Sequence, residues 1–278
     1  MIWADQTWVD LTAVPEESVV VLPLASCEQH GLHLPVLTDT YIITHIAKKL
    51  EAAMPSKVWL MPTLWVGASH HHRAFPGTIS LPETLYMQVV REMVECVLDS
   101  AVCHEGHNTR VLLLNGHGGN ITPMQVMLNE LAWARRDKPL AWVMQSTYWL
   151  MNADKFAALE GFETDRVTHA CEFETSMMLS AKHDLVRMDR AKTQVSSFDN
   201  EYLVPSAARS SRVDASTAFH RRSNTGGLGK PEAATAEKGE RIIDLVVDEV
   251  SEFIKTWLTW QTMPDLGPND MGTGPGRG

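Results

Sequence analysis

The chain has 278 residues, 44% of them hydrophobic and 21% charged, a balance that excludes intrinsic disorder and leaves room for a sizeable core. Its formal net charge of −10 lacks the basic footprint that nucleic acid or an anionic membrane surface requires, so a small-molecule substrate is the expected partner. No basic start followed by an apolar run is present, and no apolar stretch is long enough to span a bilayer, which sets the expectation of a cytoplasmic protein.

A short segment with Trp3 and Trp8 precedes an apolar run over 18–24 that reads as a buried strand. It leads into Glu28-Gln-His30, with His33 and Asp39 close behind. Residues two apart in extended backbone point the same way, so Glu28 and His30 can meet one metal ion or an adjacent pair; a polar loop with scattered histidines has the same spacing. Thr38 or Asp39 caps a helix in which Ile42, Ile43, Ile46, Leu50 and Met54 recur at helical intervals. A strand over 58–61 then leads to Ser69-His-His-His-Arg73 and Phe75-Pro-Gly-Thr78, whose three consecutive histidines either line a pocket or sit on a solvated loop. Pro82 suits the first turn of a helix striped by Leu85, Val89, Met93 and Val97.

Residues 110–114 form another run of buried-strand type, which breaks at once into Asn115-Gly-His-Gly-Gly-Asn120, with Asn120 placed to cap the next helix. A fourth strand, 140–145, ends at Thr147-Tyr-Trp149, and a helix over about 169–181 carries His169-Ala-Cys-Glu-Phe-Glu-Thr-Ser176. The stretch 189–232, rich in Ser, Arg, Asn and Gly, is too long for a simple connection and reads as a lid, a binding loop or a subunit contact. A last helix over about 233–260 is striped by Ile242, Val246, Val250, Phe253 and Trp257; residues 264–278 read as a flexible tail, leaving 1–263 as a single domain. Cys27, Cys96, Cys103 and Cys171 have neither zinc-knuckle nor redox spacing and read as free thiols. Alternating strand–loop–helix units predict an α/β sandwich with a mostly parallel sheet, in which ligands bind where loops leave the carboxyl ends of the strands. Every polar cluster noted above lies in such a loop.

In this order, the motifs Glu28-Gln-His30 with Asp39, Phe75-Pro-Gly-Thr78, Asn115-Gly-His-Gly-Gly-Asn120, His169 to Ser176 and Ala234-Thr-Ala-Glu-Lys-Gly239 resemble those of the creatininase family of metal-dependent amidohydrolases, over about residues 18–255. The resemblance implies a three-layer α/β/α sandwich with a mostly parallel central sheet, and a homo-oligomer, often a hexamer. It also implies two divalent metal ions per chain, Zn²⁺ foremost with Mn²⁺ or Fe²⁺ as alternatives, metals that imidazole and carboxylate ligands suit. By the same resemblance Glu28, His30, Asp39 and His117 are metal ligands, with Asp39 bridging, and His169 is the catalytic group that protonates the departing nitrogen.

The chain also departs from creatininase itself. Gly118 and Gly119 stand where creatininase has a tyrosine and a metal-binding glutamate, so a fifth ligand must come from elsewhere. In a helix beginning near His169, Glu172 shares the histidine's face three residues on, whereas Glu174 is turned roughly 200° from Glu172. Relatives with the Gly-Gly version commonly carry a glutamate at the position of Glu172. Glu172 is therefore expected as the fifth metal ligand, and Glu174 as an acceptor that orients neighbouring groups. His33 is expected behind the ligands or against substrate, and Trp149 as aromatic lining. Asp165 and Thr168, where creatininase has a tryptophan and a glutamate, and Lys230, where relatives commonly have aspartate, point away from creatinine. The expected activity is hydrolysis of a C–N bond in a small cyclic amide or formamide by a metal-activated water. Peptide cleavage and opening of a keto-inositol ring are the family alternatives, and a non-catalytic metal-binding assembly protein is the rival of another class.

Overall fold

The computed structural model describes residues 1–100, 109–138, 141–164, 166–196, 202, 213 and 215–261; Cys103, Leu140, Asp165 and the expected tail at 264–278 lie outside them. Four strands, β1 (Val19–Leu24), β2 (Val58–Leu60), β3 (Thr109–Asn115) and β4 (Ala141–Thr147), form one sheet in the order β2-β1-β3-β4, with every pair parallel. Both faces of the central strands are apolar, as a sheet covered by helices on both sides demands. Along β1 and β3 the side chains alternate: Val19, Val21, Leu112 and Leu114 enter one core, and Val20, Leu22, Val111 and Leu113 the other.

The first core lies under α1 (Thr38–Ala53), α6 (Glu172–Lys182) and α7 (Ala236–Leu258), and the second under α2 (Glu83–Leu98) and α3 (Ile121–Ala134). Two short helices, α4 (Tyr148–Met151) and α5 (Ala153–Ala157), follow β4. This is a three-layer α/β/α sandwich with a parallel sheet. α1 and α7 bury the stripes their periodicity predicts, including Ile42, Ile46, Leu50, Ile242, Val246, Val250 and Trp257. α2 is rotated by one residue from expectation: Tyr86, Val90, Val94 and Val97 are buried, while Leu85 is 43% exposed. With apolar residues at 85, 86, 89, 90, 93 and 94, two neighbouring stripes compete, and tertiary packing selects the one that buries the larger Tyr86. α7 lies close on α6 because a Cβ at Gly239 would run into the Ser176 carbonyl.

Strand order reverses between β1 and β3, since the chain leaves β1 for β2 on one side and returns to place β3 on the other. Loops from these adjacent strands diverge to opposite faces and leave a crevice at their carboxyl ends. The edge of β2 is covered by the N-terminal segment, where Ile2 bridges Leu60 and the Met1 ammonium donates to the Val58 carbonyl at 2.8 Å. Among the described residues no helix is long and apolar enough to cross a membrane.

Trp257 is fully buried at the end of α7, in the core shared with α1 and the sheet. Trp257→Ala is expected to cost about 3–5 kcal/mol, seen as a lower denaturant midpoint at unchanged slope. A midpoint within experimental error of wild type would contradict this packing.

Candidate metal centre

After β1 the chain folds back on itself before entering α1. The Glu28 amide donates to the Val36 carbonyl at 2.8 Å, and Gly31 takes φ +65°, so Glu28 and His30 are brought over the first turn of α1, where Asp39 sits. A carboxylate in the first turn of a helix is favoured by the macrodipole. Asp39 directs its two oxygens at two imidazoles: Oδ1 lies 2.9 Å from His30 Nε2, and Oδ2 lies 3.0 Å from His117 Nδ1. Ser26 donates to Oδ2 at 2.7 Å. His30 arrives from β1 and His117 from β3, so this carboxylate ties together the two sides of the crevice.

Glu28 lies across the cluster, with Oε2 3.5 Å from His117 Nε2 and Oε1 3.4 Å from His72 Nε2 and 3.6 Å from His169 Nδ1. The ligand atoms of Glu28, His30 and Asp39 converge within 4.8 Å, and so do those of His30, His169 and Glu174. Glu28, Asp39, His117, His169 and Glu174 are buried or nearly so, and line a cavity of about 260 Å³ together with Gly118, Gly119, Trp149, Thr168, Phe219, Arg222 and Leu228.

The charges define what the cluster can hold. Burial drives the Glu28 and Glu174 carboxyls above the usual carboxylate range despite nearby imidazoles. Burial also opposes charge on His30 and His117, but Asp39 and Glu28 outweigh it and push them to about 10 and about 9. Asp39 is held below its ordinary value because His30 and His117 outweigh its own burial. Among the described residues no lysine or arginine pairs with Glu28, Asp39 or Glu174, so three buried carboxylates face at most two cationic imidazoles. Glu28 Oε2 and His30 Nε2 are also buried without a hydrogen bond of acceptable geometry. Burial pushes Glu28 and Glu174 toward their neutral forms in the metal-free cluster, a bound cation would restore their charge, and a mixed N/O donor set suits zinc, manganese or iron.

The surrounding groups orient this cluster. Gln29 Nε2 has two protons and donates to the Gly226 carbonyl at 2.9 Å and to His72 Nδ1 at 2.7 Å. His72, kept neutral by burial, then carries its proton on Nε2 and turns it towards Glu28. His72 therefore steadies a carboxylate, a role its place in a run of three histidines did not reveal. Asn120 stands at the N-cap of α3 as expected, but its side chain makes no capping bond. Its side chain instead accepts from the Ala68 amide at 3.0 Å and donates to the Ala25 carbonyl and Asn115 Oδ1, both at 3.1 Å, joining the loops that leave β1, β2 and β3. Gly119 is required by the same crowding, since a Cβ there would strike the Ala68 carbonyl and His117 Nε2.

Glu172 does not reach the cavity. It accepts from the Glu163 and Thr164 amides, each at 3.0 Å, from Thr164 Oγ1 at 2.9 Å, and from Lys238 Nζ at 2.6 Å. The helix begins at Glu172 itself, and His169 lies upstream, in a bridge to Leu228. Between them Ala170 adopts φ +50°, so the helical spacing that paired His169 with Glu172 does not apply. Glu174, which reaches back to the Ala170 amide, takes the position expected of Glu172.

The other expected site residues divide between cavity and support. Trp149 lines the cavity, and its buried indole N–H has no acceptor among the described residues. His33 is buried away from the cavity, 2.8 Å from Thr175 Oγ1, and burial lowers it to about 4, so it supports the start of α6 as a neutral imidazole. Phe219 and Arg222 carried no signal beyond their place in the long 189–232 stretch, where the binding-loop reading encompassed them.

A family model described as creatininase, creatinine amidohydrolase, matches residues 4–254. A mycofactocin precursor peptide peptidase of Mycobacterium tuberculosis is 32% identical over 248 residues, covering 86% of this chain and 85% of that protein. A creatinine amidohydrolase of Pseudomonas putida is 27% identical, covering 90% and 94%. Among solved structures, one titled creatininase Mn superposes with a TM-score of 0.72 at 24% identity, covering 93% of this chain and 99% of the other, a likeness of fold.

Two outcomes follow from the geometry. Glu174→Gln should lower the bound metal content, whereas Glu172→Gln should keep it and lose about 3 kcal/mol of stability through the broken pair between buried Glu172 and partly buried Lys238; metal analysis and denaturation separate the two, and the opposite pattern would return Glu172 to the cavity. Because His30 and His117 hold protons at pH 7 in the metal-free cluster, zinc added to weakly buffered apoprotein should release protons. A titration that releases none would contradict this electrostatic arrangement.

Proposed function

The chain belongs to the creatininase family of hydrolases, and from that premise we propose that it cleaves an amide C–N bond with two divalent metal ions held by Glu28, His30, Asp39, His117 and Glu174. The observation that carries this reading is Asp39, whose two oxygens address histidines from the two sides of the crevice, with Glu28 and Glu174 completing the donor set. Zinc, manganese or iron bound there supplies a water of lowered pKa and polarises a carbonyl.

The chain's own groups do the rest. His169 Nε2 lies 2.8 Å from the Gln29 carbonyl and donates to it, because both Gln29 amide protons are committed elsewhere. That leaves Nδ1 as the basic nitrogen, 3.6 Å from Glu28 Oε1. Burial and the His30 charge keep His169 neutral, so it can accept a proton and pass it to the departing nitrogen. The unpaired Trp149 N–H offers a donor to the substrate.

Within the amide class, a linear peptide-type bond fits better than creatinine. Gly118 and Gly119 leave one wall without the tyrosine and metal-binding glutamate that creatininase has there, and a Cβ at 118 would meet open space. The relative at 32% identity is named as a peptidase.

Exhaustive chelation should abolish turnover, and zinc or manganese should restore it; full activity after verified metal removal would exclude the mechanism. Creatinine should be poorer in kcat/KM than the best short peptide or formamide by on the order of ten- to hundredfold, the value of one good missing contact. A creatinine rate equal to the best substrate would overturn the preference. His169→Ala should lower kcat by on the order of 10²–10⁴ with metal content unchanged.

A further inference from the structure

Arg222 is the permanent cation among the described residues lining the cavity. Its guanidinium carbon lies 5.6 Å from the centroid of Phe219, whose ring is 4.7 Å from His169 and 4.3 Å from His72, so one aromatic ring is in contact with both the guanidinium and the histidines of the site. Among the described residues no carboxylate or carbonyl accepts from that guanidinium. The loop beneath it is tied down: the Arg222 and Ser223 amides donate to the Phe219 carbonyl at 2.9 and 3.0 Å, and Ser223 Oγ donates to the Gly227 carbonyl at 2.7 Å. Burial lowers the Arg222 pKa, so the charge is already partly stripped of water.

A fork of five N–H donors, partly desolvated and without an acceptor among the described residues, matches a planar oxyanion. We propose that Arg222 binds a carboxylate of the substrate and selects amides bearing a free carboxylate a short way from the bond that is cut; this rests on the amide-hydrolase reading. Consecutive Cα atoms are about 3.8 Å apart, so a carboxylate one or two residues beyond the scissile bond lies roughly 4–8 Å from it, the span of one interposed ring. The placement also solves a problem of charge. A substrate carboxylate is attracted to the metal ions and would occupy them unproductively, and a cation against Phe219, outside the proposed ligand set, offers it another seat in the cavity.

The test uses zinc-loaded enzyme and short peptides paired as C-terminal acid and C-terminal carboxamide. Wild type should favour the acid by on the order of ten- to hundredfold in kcat/KM. Arg222→Met should bring the ratio near one by raising KM for the acid rather than by lowering kcat, and Arg222→Lys should restore part of it. Calorimetric binding of N-acetylglycylglycine and its carboxamide supplies a readout without turnover, and the acid's advantage should vanish in Arg222→Met. Acid-selective binding that depends on Arg222 in an enzyme that cleaves no amide would sustain this inference and reject the amide-hydrolase reading. Equal handling of acid and carboxamide by wild type, or equal losses for both in Arg222→Met, would overturn the inference. So would inorganic phosphate binding that depends on Arg222 more strongly than the acid does, since the site would then be a phosphate site.

Discussion

A single buried carboxylate holds this architecture's working end together. Asp39 sits on the first turn of a helix and uses one oxygen on an imidazole that follows β1 and the other on an imidazole that follows β3. Those strands are neighbours at the point where the sheet's order reverses, so the contact joins the two walls of the crevice that the topology opens. Moving either strand, or the start of α1, would separate the donor set. The apolar cores on the two faces of the sheet thereby fix the geometry of the polar cluster at its edge.

The cluster is built against its own electrostatics. Three carboxylates are buried where burial opposes their charge, and the only positive groups among them are imidazoles whose protons a metal must displace. Such an arrangement is costly as a structural element and suited to holding a cation. The neighbours pay that cost in position: Ser26 on Asp39, His72 on Glu28, and Gln29 on His72 each leave their partner one orientation. The two asparagines of the Asn115–Asn120 segment act one step further out, clamping Ala25, Ala68 and Thr147 so that three loops share one framework.

The contrast between Glu172 and Glu174 shows how one backbone torsion redistributes roles. Both are buried acids in the first turn of α6. Glu172 is neutralised by Lys238, a residue of the 234–239 motif, and so locks α7 to the segment preceding His169. Glu174 has no lysine partner and faces the histidines. Ala170, the non-glycine residue with positive φ among those described, releases His169 from the helix and lets its ring pack against those of His30 and Phe219.

Much of this was legible in the residues themselves. Apolar runs of strand length followed by helical stripes determine a parallel α/β sandwich, because period and burial are local properties of a sequence. The loops carrying Glu28, His30 and His117 follow from that alternation, since these side chains come soon after their strands, and Asp39 opens the helix that comes next. Tertiary structure alone decided which of two adjacent stripes α2 buries, that the Asn120 side chain braces loops instead of making a capping bond, and that Glu174 faces the cavity in place of Glu172. It also decided that His72, Phe219 and Arg222, distant in the chain, meet at one cavity. The physical reason is common to all of these. Each depends on a backbone torsion or a long-range contact with no periodic trace, whereas a helix stripe or strand alternation repeats its own evidence every few residues.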